Sequence, residues 1–586
     1  MLRLSPRAFA AGALLLLLAL VPLYAQWQGE PFLLALFGRV LVYGIAALAL
    51  NLLLGYGGMV SFGHALYLGL GAYAVGVLNH YGIENGWLHL LAALGACAAV
   101  GLVSGYVVMR TSGIAFIMIT LAFAQMFYFL ATGLEGFGGD DGMSLFAGSD
   151  FGLFRLDTPL ALYYTAFGAL LLALAALRRL VQAPFGMVLR GCQANERRMR
   201  ALGFATLRYR LAAYVLSAMV CGVAGVLLAN LTLYVSPSYL AWTTSGELIV
   251  MVALGGLGTV VGPVAGALAF LLLEEGLKLL TDHWMLVMGL LIVGVVLVSR
   301  RGLYGGLSDK PLRLGAARAL PHPRRTAMSA LRVEHLVKRY GGLTVTDDLS
   351  LDVRPGELHA VIGPNGAGKT TLIGQLSGEL RPDGGRVLLD GEDVTRLPVE
   401  RRVRRGLARS YQITSVFKPF TALENVAMAV QARRGHSFRF WRPVLSTPAL
   451  REPAREALAQ AGLDGRADTP AAALAHGELR QLELAMVLAC QPTLLLLDEP
   501  MAGMSQHESE AMTRLLQRLR GHYTILLVEH DMQAVFALSD RITVLVYGRA
   551  LACGDADQIR NDPQVRECYL GSERGHAGRR AQGAPA

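Results

Sequence analysis

Up to about residue 300 the chain runs in long apolar stretches with short polar breaks. After residue 330 those stretches shorten and charged positions fill the gaps. Apolar stretches lie near 9–25, 36–56, 58–79, 86–109, 112–133, 159–177, 211–235, 247–280 and 284–299. About 20 such residues in a helix cross the hydrocarbon of a bilayer, so this half predicts a polytopic α-helical membrane domain. The stretch at 247–280 is long enough for two helices and contains "ALGGLGTVVGPVAGALA", where Gly and Pro can break a helix. Splitting it gives ten spans; eight result if part of it is re-entrant. Phe9 to Ala25 behind Arg3 and Arg7 has the layout of a signal peptide, but the series of spans behind it predicts a retained first helix.

Beyond residue 330 the pattern changes period. "LHAVI" (358–362) and the four leucines of "PTLLLLDEP" (492–500) are short, unbroken apolar runs. Such runs fit strands buried on both faces of a parallel sheet. The predicted architecture is a membrane domain over 1–301, a Pro-, Gly- and Arg-containing linker over 302–330, an α/β domain over 331–572, and a disordered tail over 573–586. Met328, within "PHPRRTAMSALRVEHL", stands where a free-standing second protein would begin.

Charge gives the membrane half a direction. Of the 53 Lys and Arg, 15 precede residue 301, and eight of those lie between 178 and 210: Arg178, Arg179, Arg190, Arg197, Arg198, Arg200, Arg208 and Arg210. One acid, Glu196, accompanies them, so the positive-inside rule places this loop in the cytoplasm. Residues 134–158 carry Glu135, Asp140, Asp141, Asp150 and Asp157 and fit the other side. The net charge of +10 follows from such loops and does not point to nucleic acid. The six cysteines, Cys97, Cys192, Cys221, Cys490, Cys553 and Cys568, show neither metal spacing nor a paired framework.

Within "SFGHALYLGLGAYAVG" (61–76), Ala65, Gly69, Ala72 and Gly76 recur at the three- or four-residue spacing that lets helix backbones meet. His64 beside them is read as a hydrogen-bonded packing residue or a substrate contact, and Arg39 as the mark of a span boundary. Rows of intramembrane carboxylates are not evident, so energy for any transport must come from elsewhere.

A source lies at "GPNGAGKTT" (363–371), where Gly363, Gly368, Lys369 and Thr370 satisfy G-x-x-x-x-G-K-[ST]. Backbone N–H groups freed by glycine wrap phosphate at a helix N-terminus. Lys369 reaches the β- and γ-phosphates of ATP and Thr370 holds Mg2+. Asp498 and Glu499 follow the leucine strand, at the end where open α/β sheets bind ligands. Asp498 completes the Mg2+ shell and Glu499 polarises the attacking water.

With these motifs in order, residues 331–572 resemble the ATP-binding cassette ATPases. The resemblance implies further roles, residue by residue. Asn365, Gly366 and Thr371 complete the phosphate loop. "LAHGELRQ" (474–481) stands for the family signature, with Ala475, Gly477 and Glu478 as nucleotide contacts. Gln412 of "SYQ" is the loop glutamine that touches the metal and links to the membrane domain, His530 of "LLVEHD" the switch histidine, and Tyr340 the ring that stacks on adenine. Two positions depart from the family: Ala475 replaces a common serine, and Ser505 in "MAGMS" replaces an acid in the loop that crosses to the other ATPase. Turnover is expected to survive both.

The membrane half is similar to permease subunits of branched-chain amino acid importers, in "LALNLLLGYGGMVSFGHALYLGLGAYA", "TLAFAQMFYFLATGLEGFGGDDGMS" and "LIVMVALGGLGTVVGPVAGA". "YGRALACGDADQIRNDPQVRECYLG" resembles the end of the cognate ATPase. The resemblance implies a permease fused to its ATPase in a bacterial inner membrane, surrounded by lipid, with the ATPase domain in the cytoplasm. It also implies a periplasmic substrate-binding protein and a second permease and ATPase, or a second copy, because each ATP lies between two cassettes. Residues 184–203 are read as a coupling helix docking near Gln412 or as a solvated surface loop; charge reversal at Arg197 and Arg198 is expected to spare ATP binding and reduce uptake. The cargo is left open between branched-chain amino acids and urea, short amides or aromatic acids. An ATP-gated channel or membrane-anchored regulatory ATPase is the reading outside transport.

Overall fold

A computed structural model describes residues 6–298, 330–412, 414–435 and 437–567. The linker, Met328 and the tail lie outside them. The chain divides into two compact units. Among the described residues, one holds 6–193, 207–298 and Arg439–Arg442, and the other holds Ala194–Thr206, 330–438 and 443–567. The arginine-rich segment 194–206 thus clusters with the α/β residues, although two apolar helices flank it in sequence.

The first unit is helical. Among the described residues, six helices are long and apolar enough to cross a membrane: Ala8–Gln28, Pro31–Gly57, Gly86–Val108, Ile114–Thr132, Pro159–Gln182 and Thr206–Thr232. Helices His64–His80, Trp242–Gly255, Gly262–Leu280 and Trp284–Val298 complete the set of apolar helices. The long stretch does break within its Gly-rich centre, between Gly255 and Gly262, where Gly256 and Gly258 take positive φ. The first helix packs into the unit: Leu18 is buried, and its carbonyl accepts from the Tyr163 hydroxyl at 2.7 Å.

Close backbone approach explains the small residues. A Cβ on Gly71 would lie 2.1 Å from the Gly222 carbonyl oxygen, and one on Gly225 would lie 2.0 Å from that of Leu68. Helices His64–His80 and Thr206–Thr232 therefore meet backbone to backbone. Overpacking a formed core costs about 1–3 kcal/mol where side chains can move aside, and here the obstacle is backbone. Gly225→Val is expected to remove most folded protein from the membrane fraction, as quantified by detergent extraction and gel filtration; normal yield and elution would contradict this packing.

His64 is fully buried, with Nδ1 3.2 Å from Ser61 Oγ and Nε2 2.8 Å from Ser217 Oγ. Both ring nitrogens are spent inside the bundle, which accords with the packing reading. Arg39 lies in the first part of Pro31–Gly57 and pairs with Glu275 at 3.4 Å and Glu274 at 3.9 Å, and Lys278 reaches Glu274 at 2.6 Å. The two carboxylates, both on Gly262–Leu280, are thus paired with neighbouring cations.

The second unit is built on two sheets. Six strands stand in the order Arg549–Gly554, Arg541–Val546, Leu358–Ile362, Thr524–Val528, Leu494–Asp498, Leu407–Arg409. All pairings are parallel except the edge hairpin. The two strands anticipated from sequence are buried at every residue. A four-stranded antiparallel sheet carries Leu343–Val353, Leu331–Tyr340, Gly384–Leu389 and Glu392–Asp393. Helix Lys369–Ser377 leaves the carboxyl end of Leu358–Ile362. Arg402, 1% exposed, donates to the Gln375 and Leu376 carbonyls at 2.7 and 2.6 Å and so caps that helix's end; burial pushes its pKa down to about 10.

Candidate functional site

The loop between Ile362 and Lys369 turns because its glycines permit it. Gly366 and Gly368 have φ of 83° and 100°, and a Cβ on Gly368 would sit 2.6 Å from the Val345 carbonyl. Lys369 Nζ donates to the carbonyls of Gly363 and Pro364 at 2.5 and 3.1 Å, across the mouth of the loop. Burial lowers its pKa, and Glu499 and Asp498 oppose that shift. Asn365, Gly366 and Thr370 are exposed along the loop and helix start, with Thr371 half-buried. Lys369→Ala removes a charge-assisted contact worth about 1.5–3 kcal/mol. It is expected to weaken ATP binding roughly ten- to a hundredfold, measured with a fluorescent ATP analogue.

At the end of Leu494–Asp498, Asp498 is buried at 2% exposure. Burial raises its pKa, and Arg409, donating from Nη2 to Oδ2 at 3.0 Å, holds it down. Glu499 follows in a left-handed conformation, φ 46°, its N–H donating to the Val528 carbonyl at 2.8 Å. That turn presents the Glu499 side chain to Gln412, whose Nε2 donates to Oε2 at 2.8 Å, and to His530, whose Nδ1 lies 3.8 Å from the same oxygen. His530 Nδ1 is also 3.6 Å from Glu529, a buried acid that accepts from the N–H of Met501 at 3.0 Å. The structure thus brings Gln412, Glu499 and His530 together, with Asp498 adjacent in sequence to Glu499 and Lys369 within electrostatic reach of both acids.

The remaining predicted residues do not join this group. Tyr340 ends its strand half-exposed, its ring centroid 5.5 Å from Lys338 Nζ. Helix His476–Ala489 starts just after Ala475, which offers no capping side chain; Glu478 accepts the Ala475 N–H at 2.9 Å and the Arg466 Nε–H at 2.8 Å. A Cβ on Gly477 would lie 2.3 Å from Glu508 Oε1. Among the described residues no hydrogen bond or ion pair links Ala475, Gly477 or Glu478 to the phosphate loop. Ser505 caps the helix Gln506–Leu519 in a reciprocal capping box with Glu508, a local role that suits a hydroxyl.

No group of three or more His, Cys, Asp or Glu that would hold a metal alone occurs among the described residues. Asp498, the Thr370 hydroxyl and the Gln412 amide each offer an oxygen, the donor chemistry suited to Mg2+.

Sequence reasoning missed the polar cluster that supports these residues. Glu379 accepts from Arg197 Nε and Nη2 at 3.1 and 2.5 Å, from the Tyr411 hydroxyl at 2.6 Å and from Arg409 Nη1 at 3.1 Å. Arg198 is 1% exposed, its Nη1 3.6 Å from Glu483 Oε1, and it donates to the Arg409 carbonyl at 3.3 Å. Glu483 accepts the Tyr411 N–H at 3.0 Å, and Arg480 donates to the carbonyls of Tyr411 and Gln412. Asn195 breaks the helix Pro184–Ala201 and caps its second part by accepting the Arg198 N–H at 2.9 Å. The solvated-loop reading therefore fails for Arg198. The available signal was Glu483, an acid flanked by leucines in "LRQLELAMV".

A phosphate loop, a strand-end Asp-Glu pair, and a Gln and His converging on that Glu define a nucleotide hydrolase of the cassette type, on a chain that also carries membrane-length helices. Three families match: Branched-chain amino acid transport system / permease component over residues 32–296, ABC transporter over 346–502, and Branched-chain amino acid ATP-binding cassette transporter over 551–574. The high-affinity branched-chain amino acid transport ATP-binding protein LivG of Escherichia coli (strain K12) is 40% identical over 252 residues, covering 41% of this chain and 97% of LivG. The lipopolysaccharide export system ATP-binding protein LptB of Haemophilus influenzae is 33% identical over 247 residues, covering 42% of this chain and 99% of LptB. A nucleotide-free ATP-binding cassette from an ABC transporter shares 28% identity, covers 41% of this chain and 99% of its own, and gives a TM-score of 0.38. The chain belongs to the ATP-binding cassette transporters of the branched-chain amino acid type, with permease and ATPase on one polypeptide.

Proposed function

We propose that the chain powers ATP-driven import of branched-chain amino acids across a bacterial inner membrane. The observation that carries this reading is the pairing of a branched-chain amino acid permease match with a cassette whose last matched segment belongs to a branched-chain amino acid cassette family. The cassette core alone does not choose the cargo, since LptB resembles it too.

In this reading the phosphate loop, with Gly363, Asn365, Gly366, Gly368 and Thr371, wraps the phosphates of ATP and Lys369 neutralises them, while Tyr340 supports adenine. Thr370, Gln412 and Asp498 would hold Mg2+, which would supply neutralisation of phosphate charge. Glu499 accepts a proton from the attacking water, and Gln412 and His530, already at its carboxylate, orient it and read the γ-phosphate. The signature Ala475, Gly477 and Glu478 serves the nucleotide of a partner cassette. Its separation from the phosphate loop within one chain supports that arrangement, with a second permease and ATPase or a second copy completing the assembly. The coupling helix at 184–203 acts through its part from Ala194 onward, which clusters with the ATPase residues, and a periplasmic binding protein delivers the substrate. The domain boundaries follow as permease 1–301, linker 302–330, ATPase 331–572 and tail 573–586.

The test is ATP hydrolysis by the complete assembly in proteoliposomes. Leucine-loaded binding protein is expected to raise turnover above that with the empty binding protein. Equal turnover with loaded and empty forms would contradict the proposed cargo.

A further inference from the structure

Asp498 needs an orientation as well as a position, because a metal-binding carboxylate must aim one oxygen at the ion. One of its oxygens, Oδ2, is taken by Arg409 Nη2 at 3.0 Å. The same guanidinium, 6% exposed, spends Nη1 on Ser377 Oγ and Glu379 Oε2, both at 3.1 Å. Glu379 is shared in turn: Arg197 grips both of its oxygens, and the Tyr411 hydroxyl donates to Oε1. The path Arg197–Glu379–Arg409–Asp498 is thus an unbroken alternation of charges from the 194–206 segment to the metal carboxylate. It runs beside the Gln412 loop and does not pass through Gln412. Both Arg409 and Arg198 have a buried Nε with no hydrogen-bond partner, so neither guanidinium has exhausted its donors.

We infer that Arg409 is a positioning residue that couples Arg197 to Asp498, with Glu379 as the acid they share. This rests on the proposed role of Asp498 in holding the nucleotide's metal. While Arg197 holds Glu379, the carboxylate of Glu379 is neutralised from outside, and Arg409 is left to orient Asp498. If Arg197 withdraws, Arg409 alone must balance Glu379, and its hold on Asp498 loosens. Movement of the 194–206 segment is thereby converted into a change in metal affinity, a second line of communication alongside the glutamine loop.

The test is Mn2+ titration followed by electron paramagnetic resonance, on the complete assembly saturated with a non-hydrolysable ATP analogue. Outer partners of metal ligands typically tune metal affinity by about 10–100-fold. Arg409→Lys, which keeps the charge and loses the fork, is expected to weaken Mn2+ at least tenfold while metal-free nucleotide binding stays unchanged. Arg197 is two-thirds exposed, so Arg197→Ala keeps the fold and is expected to weaken Mn2+ by about threefold, the scale of an exposed ion pair. In a Glu379→Gln background the Arg197→Ala change is expected to do nothing further. Unchanged Mn2+ affinity in Arg197→Ala, or equal effects in both backgrounds, would overturn the coupling while leaving the ATPase reading intact. Failure of the wild-type assembly to bind Mn2+ with nucleotide would overturn both.

Discussion

Glu499→Gln is expected to bind ATP and fail to hydrolyse it. The Glu499 carboxylate sits at a left-handed turn, φ 46°, between Gln412 at 2.8 Å and His530 at 3.8 Å. An amide keeps the shape and can still meet Gln412, but it cannot accept the proton of the attacking water. General-base assistance is worth about 10²–10⁴-fold, so turnover should fall by at least a hundredfold. The phosphate loop is untouched, and fluorescent ATP analogue should bind as in the wild type. Residual turnover within tenfold of wild type would assign the proton transfer to another group.

Arg198→Ala carries the second largest effect, on stability. It leaves Glu483, 1% exposed and paired among the described residues otherwise only with Arg480 at 3.7 Å, without its nearest guanidinium. Removing one partner of a buried pair costs about 3–5 kcal/mol. Burial already raises the Glu483 pKa, with Arg198 the foremost opposing influence, so the variant raises it further. A carboxyl whose folded pKa is raised favours the folded state when protonated. That contribution is complete below the unfolded value of about 4.3 and is lost as pH rises through the folded value. The deficit of Arg198→Ala relative to wild type should therefore be smallest in acid and grow toward neutral pH, read by thermal unfolding at a series of pH values. A pH-independent deficit would mean that lost packing dominates. Replacing the pair together, Arg198→Met with Glu483→Leu, should recover most of the stability without recovering uptake.

Much of this site was legible because phosphate chemistry leaves local marks. "LHAVI" matches one central strand to the residue and the four leucines of "PTLLLLDEP" another that runs one residue further to Asp498, and the motifs at their ends named Lys369, Asp498 and Glu499 as candidates. Gly and Pro located the break between Gly255 and Gly262. What stayed hidden depends on partners far away in the chain. Arg198 and Glu483 stand 285 residues apart, and an arginine among arginines reads as a solvated loop until its acid is known. Arg409, three residues before Gln412, looks like any strand-end cation; only the fold shows it between Glu379 and Asp498. The partners of Arg39 were hidden for the same reason, Glu274 and Glu275 lying on a helix beyond the Gly-rich break. Apolar periodicity states where a residue is buried, and only the tertiary fold states which charge it meets there.

The most direct test of the transport claim is accumulation of labelled leucine, isoleucine and valine by cells lacking their own system. These cells would express this chain with its binding protein and partner subunits, beside the Glu499→Gln control. Accumulation against the gradient by the wild type and none by Glu499→Gln is the expected result. No accumulation, with ATP hydrolysis intact in the purified assembly, would contradict the claim that branched-chain amino acids are what this ATPase moves.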